Sequence, residues 1–371
     1  VPLLGLHMGR IGNDALVAPM FREDFWPDPG PKVTKSEGSF QALPDDVLER
    51  ISPEGSFERV KGVKVLGKWE GKQVHVPMDS PYYCQTPHLF KLDEKPPHVM
   101  YPAPLCHKGL SNRNEAVFNF GEKKDINIKV EDSFYDGFFR MHHPARVWDI
   151  DTALFGDERR GISSMASSSK CVGYEFRESK RDLVDFNKKW CSPRLRERVE
   201  MYIEHCKTKP LTSLSQIFLK SELLDEQKVD AVLPRTINAH DLAYNVVLRM
   251  YCGPVLDEIT KHPAQSSCAL GIDPHSVDWA DLYNYTNAFK NLIAGDCKKL
   301  ESSTTASFSE MFTRFIIRGM EFSETEEVVV SNLLQSLNGF AFIVNNVVYE
   351  SWNGHSSGHY CTTVYNSFVV W

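Results

Sequence analysis

No two cysteines in the chain are spaced as Cys-x-x-Cys, although nine are scattered through its 371 residues. An odd, unclustered set of thiols argues against a zinc site and for reduced cysteines in a cytosolic setting. No apolar run approaches the roughly 18 residues that suggest a membrane span. The opening Val1-Pro2-Leu3-Leu4-Gly5-Leu6 carries no basic leader, so no signal peptide is read there. Basic residues are not in excess either: 42 Lys and Arg face 49 Asp and Glu, for a net charge of −7. Bulk charge therefore gives no sign of nucleic-acid binding. Any such contact must come from local stretches, such as Arg177, Lys180 and Arg181, or Lys188, Lys189, Arg194, Arg196 and Arg198. The commoner origin of such stretches is a solvated helix face. Internal repeats and low-complexity tracts are also missing.

What is present describes a globular protein. Hydrophobic residues make up 42% and aromatics 11%, enough for a sizeable core, and the length suits two or three domains. The chain starts at Val1 and stops at the apolar Ser367-Phe368-Val369-Val370-Trp371, which reads as a piece of a longer polyprotein. Residues 1 to 24 read as short strands, Val1 to His7 and Ala15 to Met20, around a turn through Gly9 to Asn13. Residues 25 to 60 are rich in Pro, Gly, Ser and charge and suit a linker or a loosely packed arm. Short β-like runs broken by prolines follow from Val63 to Pro104, then a mixed, largely helical region over 130 to 210. Charged amphipathic stretches stand out within it at Arg181 to Lys189 and Arg194 to His205. Asp241 to Thr260 is a predicted helix with a stripe of Leu242, Val246, Val247, Met250 and Val255. A second helix is predicted over Glu324 to Leu337, where Ser323 and Glu326 form a capping box and Gly339 supplies the stop. Phe340 to Trp352 then reads as a hairpin turning at Asn345-Asn346.

The chemistry is densest at Ser357-Gly358-His359-Tyr360-Cys361-Thr362-Thr363-Val364-Tyr365-Asn366. A Ser-Gly loop leading into a helix can offer small polar groups and backbone N–H donors to a ribose and a phosphate. Thr362 and Asn366 are four apart and share a face of that helix. This run resembles motif B of the RNA-dependent RNA polymerases of picorna-like viruses. Further segments follow that family's order. Leu292-Ile293-Ala294, then Gly295-Asp296, then Glu301, looks like motif A. There an Asp at a strand end holds a divalent cation, and an acid five residues on senses the ribose 2′-OH. Carboxylate oxygens suit Mg²⁺, and in two-metal phosphoryl transfer such ions activate the attacking hydroxyl and stabilise the leaving group. Glu301 stands where the family has Asp, one methylene longer.

Lys220-Ser221-Glu222 through Lys228 to Arg235 looks like motif F, whose cations roof the incoming triphosphate. Guanidinium forks onto phosphate oxygens suit that role. Ser221 and Leu233 replace an Asp and a Lys of the pattern. Gly173-Tyr174 with Phe176 is similar to motif G, which touches the template. Ala269-Leu270-Gly271-Ile272-Asp273-Pro274 with Trp279 and Leu282 matches a segment before motif A, where core packing accounts for Trp279. At the start, Leu4-Gly5-Leu6-His7-Met8-Gly9 and Asn13-Asp14-Ala15-Leu16 look like the last strands of the chymotrypsin-like cysteine protease preceding such polymerases. His7 would inherit a place in the pocket for a substrate glutamine, and Gln41-Ala42 is a plausible processing junction, which intact mass after digestion by the cognate protease would test.

The resemblance, over roughly residues 60 to 371, implies an α+β fold of right-hand polymerase type, comprising the fingers and part of the palm, closest to dicistrovirus or iflavirus types. The expected organisation is a protease remnant over 1–24, a linker over 25–60 with the junction at 41/42, and polymerase from 61 to 371, ending before a Gly-Asp-Asp motif and thumb. It implies template-directed nucleotidyl transfer in the full enzyme, with this chain alone inactive. Asp296 would be catalytic and hold Mg²⁺ or Mn²⁺. Lys220, Lys228, Arg235, Glu301, Ser357, Gly358, Thr362 and Asn366 would bind nucleotide, and Gly173 and Tyr174 the template. Partners would be RNA template and primer, NTPs and other viral replication proteins, in the host cytoplasm at replication complexes. A noncatalytic RNA-binding or scaffold module is the alternative. A preformed sugar-reading site would bring the Glu301 carboxylate within hydrogen-bond distance of the Asn366 amide.

Overall fold

The computed structural model describes residues 9–11, 15–17, 43–53, 63–70, 101–103, 130–165, 180–220, 222–263, 266–273, 275–297, 300–344, 347–351 and 354–371. His7, Gln41, Ala42, Gly173, Tyr174 and the turn residues Asn345 and Asn346 lie outside them.

Mixed α and β structure is the result. In chain order come β1 (Gly9–Ile11), β2 (Ala15–Val17), α1 (Asp45–Leu48), β3 (Ile51–Ser52), β4 (Val63–Trp69) and β5 (Tyr101–Pro102). Next are α2 (Asp132–Phe138), α3 (Ile150–Phe155), α4 (Lys180–Leu183), β6 (Val184–Asp185), β7 (Trp190–Cys191) and α5 (Pro193–Cys206). β8 (Leu214–Leu219), β9 (Leu223–Leu224), α6 (Glu226–Asp230), β10 (Thr236–Ala239) and α7 (Leu242–Lys261) lead to α8 (Val277–Asn287) and α9 (Leu300–Ser303). The chain finishes with α10 (Ala306–Arg318), α11 (Glu324–Leu334), β11 (Phe340–Val344), β12 (Val347–Ser351) and α12 (Thr362–Val370). No helix among the described residues is long and apolar enough to cross a membrane.

Six strands form one sheet in the order β10-β8-β11-β12-β4-β3, with β8 and β11 parallel and the other pairs antiparallel. The β11–β12 hairpin pairs Val344 with Val347, as the Asn-Asn turn predicts. One face of the sheet, through Leu214, Ala341, Ile343 and Val348, is covered by Leu43 and Val47. Residues 43–52, within the stretch read as a linker, are thus packed: Leu43 is 1% exposed, Val47 is fully buried, and β3 pairs with β4. Two apolar side chains four apart, Leu43 just before the short helix α1 and Val47 on it, gave this segment more to bury than its composition suggested. β12 also carries Glu350, aligned between Ala341 and Lys64 and 3% exposed, with Oε2 lacking any hydrogen-bond partner. Burial pushes its carboxyl up to about 7, against the pull of Lys64.

The helices enclose the main core. All five predicted stripe residues of α7 are buried, together with most of the rest of the helix, and it is apolar on nearly every face, as a central helix must be. α5 starts at Ser192, whose Oγ accepts the Leu195 N–H at 3.2 Å with Pro193 in the first turn. It buries Leu195, Val199, Tyr202 and Cys206, one face at three- and four-residue spacing. α11 has the predicted capping box at Ser323 and Glu326; its last residues, Gln335–Leu337, tighten to a 3₁₀ turn.

Four expectations change. Arg181 to Lys189 is not an amphipathic helix: α4 ends at Leu183, and β6 and β7 form a small hairpin over a turn. Three of the basic residues there and in α5 are matched to acids, Lys188 to Asp185 at 3.2 Å, Arg198 to Asp46 at 2.7 Å and Arg196 to Asp151, which leaves less unbalanced positive charge for RNA. Finally, the apolar triplet before Asp296 is not a strand. Residues 288–297 lie outside helices and strands, with Leu292 62% and Ile293 86% exposed, and no described strand lies beside them to pair. Trp279, on α8, is 56% exposed rather than core.

Candidate nucleotide site

Glu301 lies in the short helix α9, and the loop after β12 is stitched onto it. The Glu301 carbonyl accepts the His355 N–H at 2.7 Å, and the Thr304 carbonyl accepts the Gly354 N–H at 3.1 Å. The Ser357 hydroxyl hydrogen-bonds the Glu301 carboxyl, and the Arg235 guanidinium acts on it from β10's entry. Burial raises the Glu301 carboxyl above its usual range against both partners. The residue as a whole stays exposed, so water screens that shift and it carries little stability. Residues 235, 301 and 357, far apart in sequence, therefore converge.

The loop's other side rests on β10. Gly358 has φ +107°, and a Cβ there would lie 1.8 Å from the Asn238 carbonyl oxygen, so only glycine fits the backbone and the space. Its N–H donates to Thr362 Oγ1 at 3.2 Å, while that hydroxyl donates to the His359 carbonyl at 2.8 Å. Thr362 thus pins the loop to the start of α12. Asn366, one turn on, holds a buried Oδ1 with no partner. No hydrogen bond joins it to Glu301, whose carboxyl is taken by Ser357.

Among the cations, Arg235 donates through Nε to Glu222 Oε1 at 2.6 Å and through Nη2 to Oε2, a bidentate pair. Lys220 reaches the same carboxylate at 3.4 Å. Glu222, pulled well below the usual carboxylate range chiefly by Arg235, balances one of these two charges, and the pair keeps a net positive charge. The Arg235 side chain remains 61% exposed and can turn to an anion. Lys228 instead closes a local pair with Asp225, the cap of α6, at 2.5 Å.

Asp296 is exposed in the irregular segment 288–297. Among the described residues, no group of three His, Cys, Asp or Glu could hold a metal ion. A lone carboxylate does not fit a two-metal site, so no metal-dependent step is derived from these residues.

One group beneath the loop escaped the sequence reading. His240, His355 and His359 are buried and touch ring to ring: His355–His359 centroids are 4.4 Å apart at 90°, and His240–His359 centroids 5.3 Å. The signal available was the four-residue spacing of His355 and His359 around Ser357-Gly358.

Residues 150–371 match the model of the viral RNA-dependent RNA polymerase family. The genome polyprotein of human hepatitis A virus genotype IIA (isolate CF-53) is 28% identical over 385 residues, covering 99% of this chain and 16% of the polyprotein. The RNA1 polyprotein of Tomato ringspot virus (isolate raspberry) is 21% identical over 409 residues, covering 98% of this chain and 18% of that one. A solved Sicinivirus 3Dpol RNA-dependent RNA polymerase superposes with a TM-score of 0.63 at 19% identity, over 80% of this chain and 62% of the other. The chain thus spans under a fifth of these polyproteins. Because the family's model covers more than half of it, on a fold shared with a solved member, the chain belongs to the viral RNA-dependent RNA polymerases.

Proposed function

We propose that this chain is the fingers and first part of the palm of an RNA-directed RNA polymerase of a picorna-like virus, and that its site receives the incoming NTP opposite an RNA template in an infected host cell. The observation that carries this reading is the meeting of Arg235, Glu301 and Ser357, one residue from each of three motif-like segments. Arg235 would leave Glu222 to neutralise the triphosphate, as a guanidinium fork suits phosphate oxygens. The Ser357–Glu301 pair would turn to the ribose hydroxyls, with the unpartnered Asn366 Oδ1 accepting from one of them. Polymerases of this family use divalent ions, and Asp296 would contribute a single carboxylate to such an ion.

The want of a Gly-Asp-Asp in the sequence supports inactivity of the chain by itself. The antiparallel β1–β2 pair and polyprotein relatives that align over almost the whole chain support a protease remnant at residues 1–24. Primer extension on an RNA template tests the function. The chain alone should incorporate nothing. Fused to a polymerase segment that carries Gly-Asp-Asp, it should extend the primer, and Asp296→Ala should abolish most of that extension. A fused protein that binds RNA with steep salt dependence but never extends would instead make it a noncatalytic RNA-binding module.

A further inference from the structure

The loop bearing Ser357 and Gly358 is held from below by histidines that the nucleotide chemistry does not use. His240, just past the end of β10, bonds to it through a side chain: Nε2 lies 2.8 Å from Ser356 Oγ. An Nε2–H tautomer of His240 suits both of its hydroxyl contacts: Ser356 Oγ can accept from it while lying 3.5 Å from the Ser357 carbonyl, and Ser213 Oγ, which accepts the Asp241 N–H, can give its own proton to Nδ1 at 3.3 Å. His355 donates from Nδ1 to the Leu337 carbonyl at 3.1 Å.

Three ring nitrogens are then left over. His355 Nε2 and both nitrogens of His359 are buried without partners. Buried polar atoms are normally satisfied, and a partly satisfied buried network is costly, so each exception calls for a physical account.

We propose that His240, His355 and His359 form a proton-operated latch, with His240 as the positioning residue, that seats the Ser357–Gly358 loop when the rings are neutral and releases it when they are protonated. A proton added to any ring would face another imidazole at contact distance rather than a carboxylate. The other ionisable groups around the trio are Tyr244, 5.7 Å from His240 by ring centroid, Tyr365, 4.5 Å from His355, and Cys361 at the start of α12. Asp241 accepts the Ala243 N–H and the Tyr202 hydroxyl, and Glu301 offers His355 its backbone carbonyl. Burial and mutual repulsion keep the rings weakly basic, His240 near 3 and His355 near 4, with His359 well below its ordinary value.

Only the consequence for catalysis, NTP binding that fails in acid, rests on the polymerase reading; the latch does not. The test follows the full chain from pH 7.5 to 4.5 with ¹⁵N-histidine spectra and hydrogen exchange corrected for intrinsic rates. At pH 7.5 all three rings should be neutral, His240 as the Nε2–H form. On acidification, protection of the His355, Gly358 and Tyr360 amides should fall at least tenfold at a pH where the α7 amides, which open only with the whole fold, still exchange far more slowly. His359→Phe keeps a ring but removes one of the three proton sites and should make that change several-fold smaller. Should this variant fail to fold, the unmodified chain decides alone. Loop protection that tracks α7 at every pH, or three rings titrating near 6.5 in the folded chain, would overturn the latch. ATP added at pH 7.5 separates the two readings: an acid-sensitive loop indifferent to ATP keeps the latch and removes the nucleotide assignment.

Discussion

Gly358→Ala costs the folded chain about 3–5 kcal/mol and detaches the loop from β10. Two effects add. A φ of +107° is strained for any residue with a Cβ, by about 1–3 kcal/mol. The new methyl would also sit 1.8 Å from the Asn238 carbonyl oxygen, which is backbone and cannot rotate away. Either β10 or the loop must move, and His240 to Ser356 and Gly358 to Thr362 are the bonds lost first. Urea denaturation measures the loss. Gly295→Ala is the matched control, since nothing lies within 4 Å of a Cβ there, and it should stay within about 0.5 kcal/mol of the parent. A Gly358→Ala chain as stable as the parent would mean that the loop is not seated on Asn238.

The second large effect is acid lability. The folded chain holds His240, His355 and His359 below the value of about 6.5 that each has when unfolded. The unfolded chain therefore binds more protons between those values, and stability rises with pH through that window. It is fully present above about pH 6.5 and drains away as pH falls toward the folded values. At 1.36 kcal/mol per pKa unit, the step from pH 6.5 to 5 removes about 2 kcal/mol per histidine. Glu350 works the other way. Its folded value of about 7 exceeds the ordinary carboxylate value, so it binds more protons folded, and its ionisation weakens the fold as pH rises from 4.5 to 7. That one carboxyl offsets about one histidine over the same step. His240 and His355 less Glu350 leave a net loss of about 2 kcal/mol from pH 6.5 to 5, to which His359 adds in the same direction, against a typical domain's 5–15 kcal/mol. Glu350→Gln should stabilise the chain at pH 7.5 and steepen its acid loss, and His359→Phe should flatten it. Equal denaturation midpoints at pH 5 and 6.5 would contradict the assignment of three neutral buried rings.

Sequence made legible those elements whose code is local. Ser323 with Glu326 announced α11, the α7 stripe announced a buried helix, and two apolar runs about Asn-Asn announced the β11–β12 hairpin. Arg235, Glu301 and Ser357 could be named from motif order, yet their meeting depends on β10, α9 and the loop being brought together by tertiary packing. The Asp296 segment was misread because three apolar residues suggest a strand only if another strand lies alongside. Residues 43–52 were misread because composition conceals two apolar side chains that reach a sheet face. Of the histidine trio, spacing could pair His355 with His359 around Ser357-Gly358, but the approach of His240 from β10's end is set by tertiary packing.

The most direct test of the nucleotide site is a footprint on the unmodified chain. ATP and 2′-deoxy-ATP would be titrated into ¹⁵N-labelled protein while the Gly358 amide and the Arg235 Nε–H are followed. Both signals should move together with ATP, and the deoxynucleotide should bind about tenfold more weakly, the cost of one lost hydroxyl contact of about 1.4 kcal/mol. Shifts confined to other surfaces, or equal response to the two sugars, would mean that Arg235, Glu301 and Ser357 meet for structural reasons and do not form a ribonucleotide site.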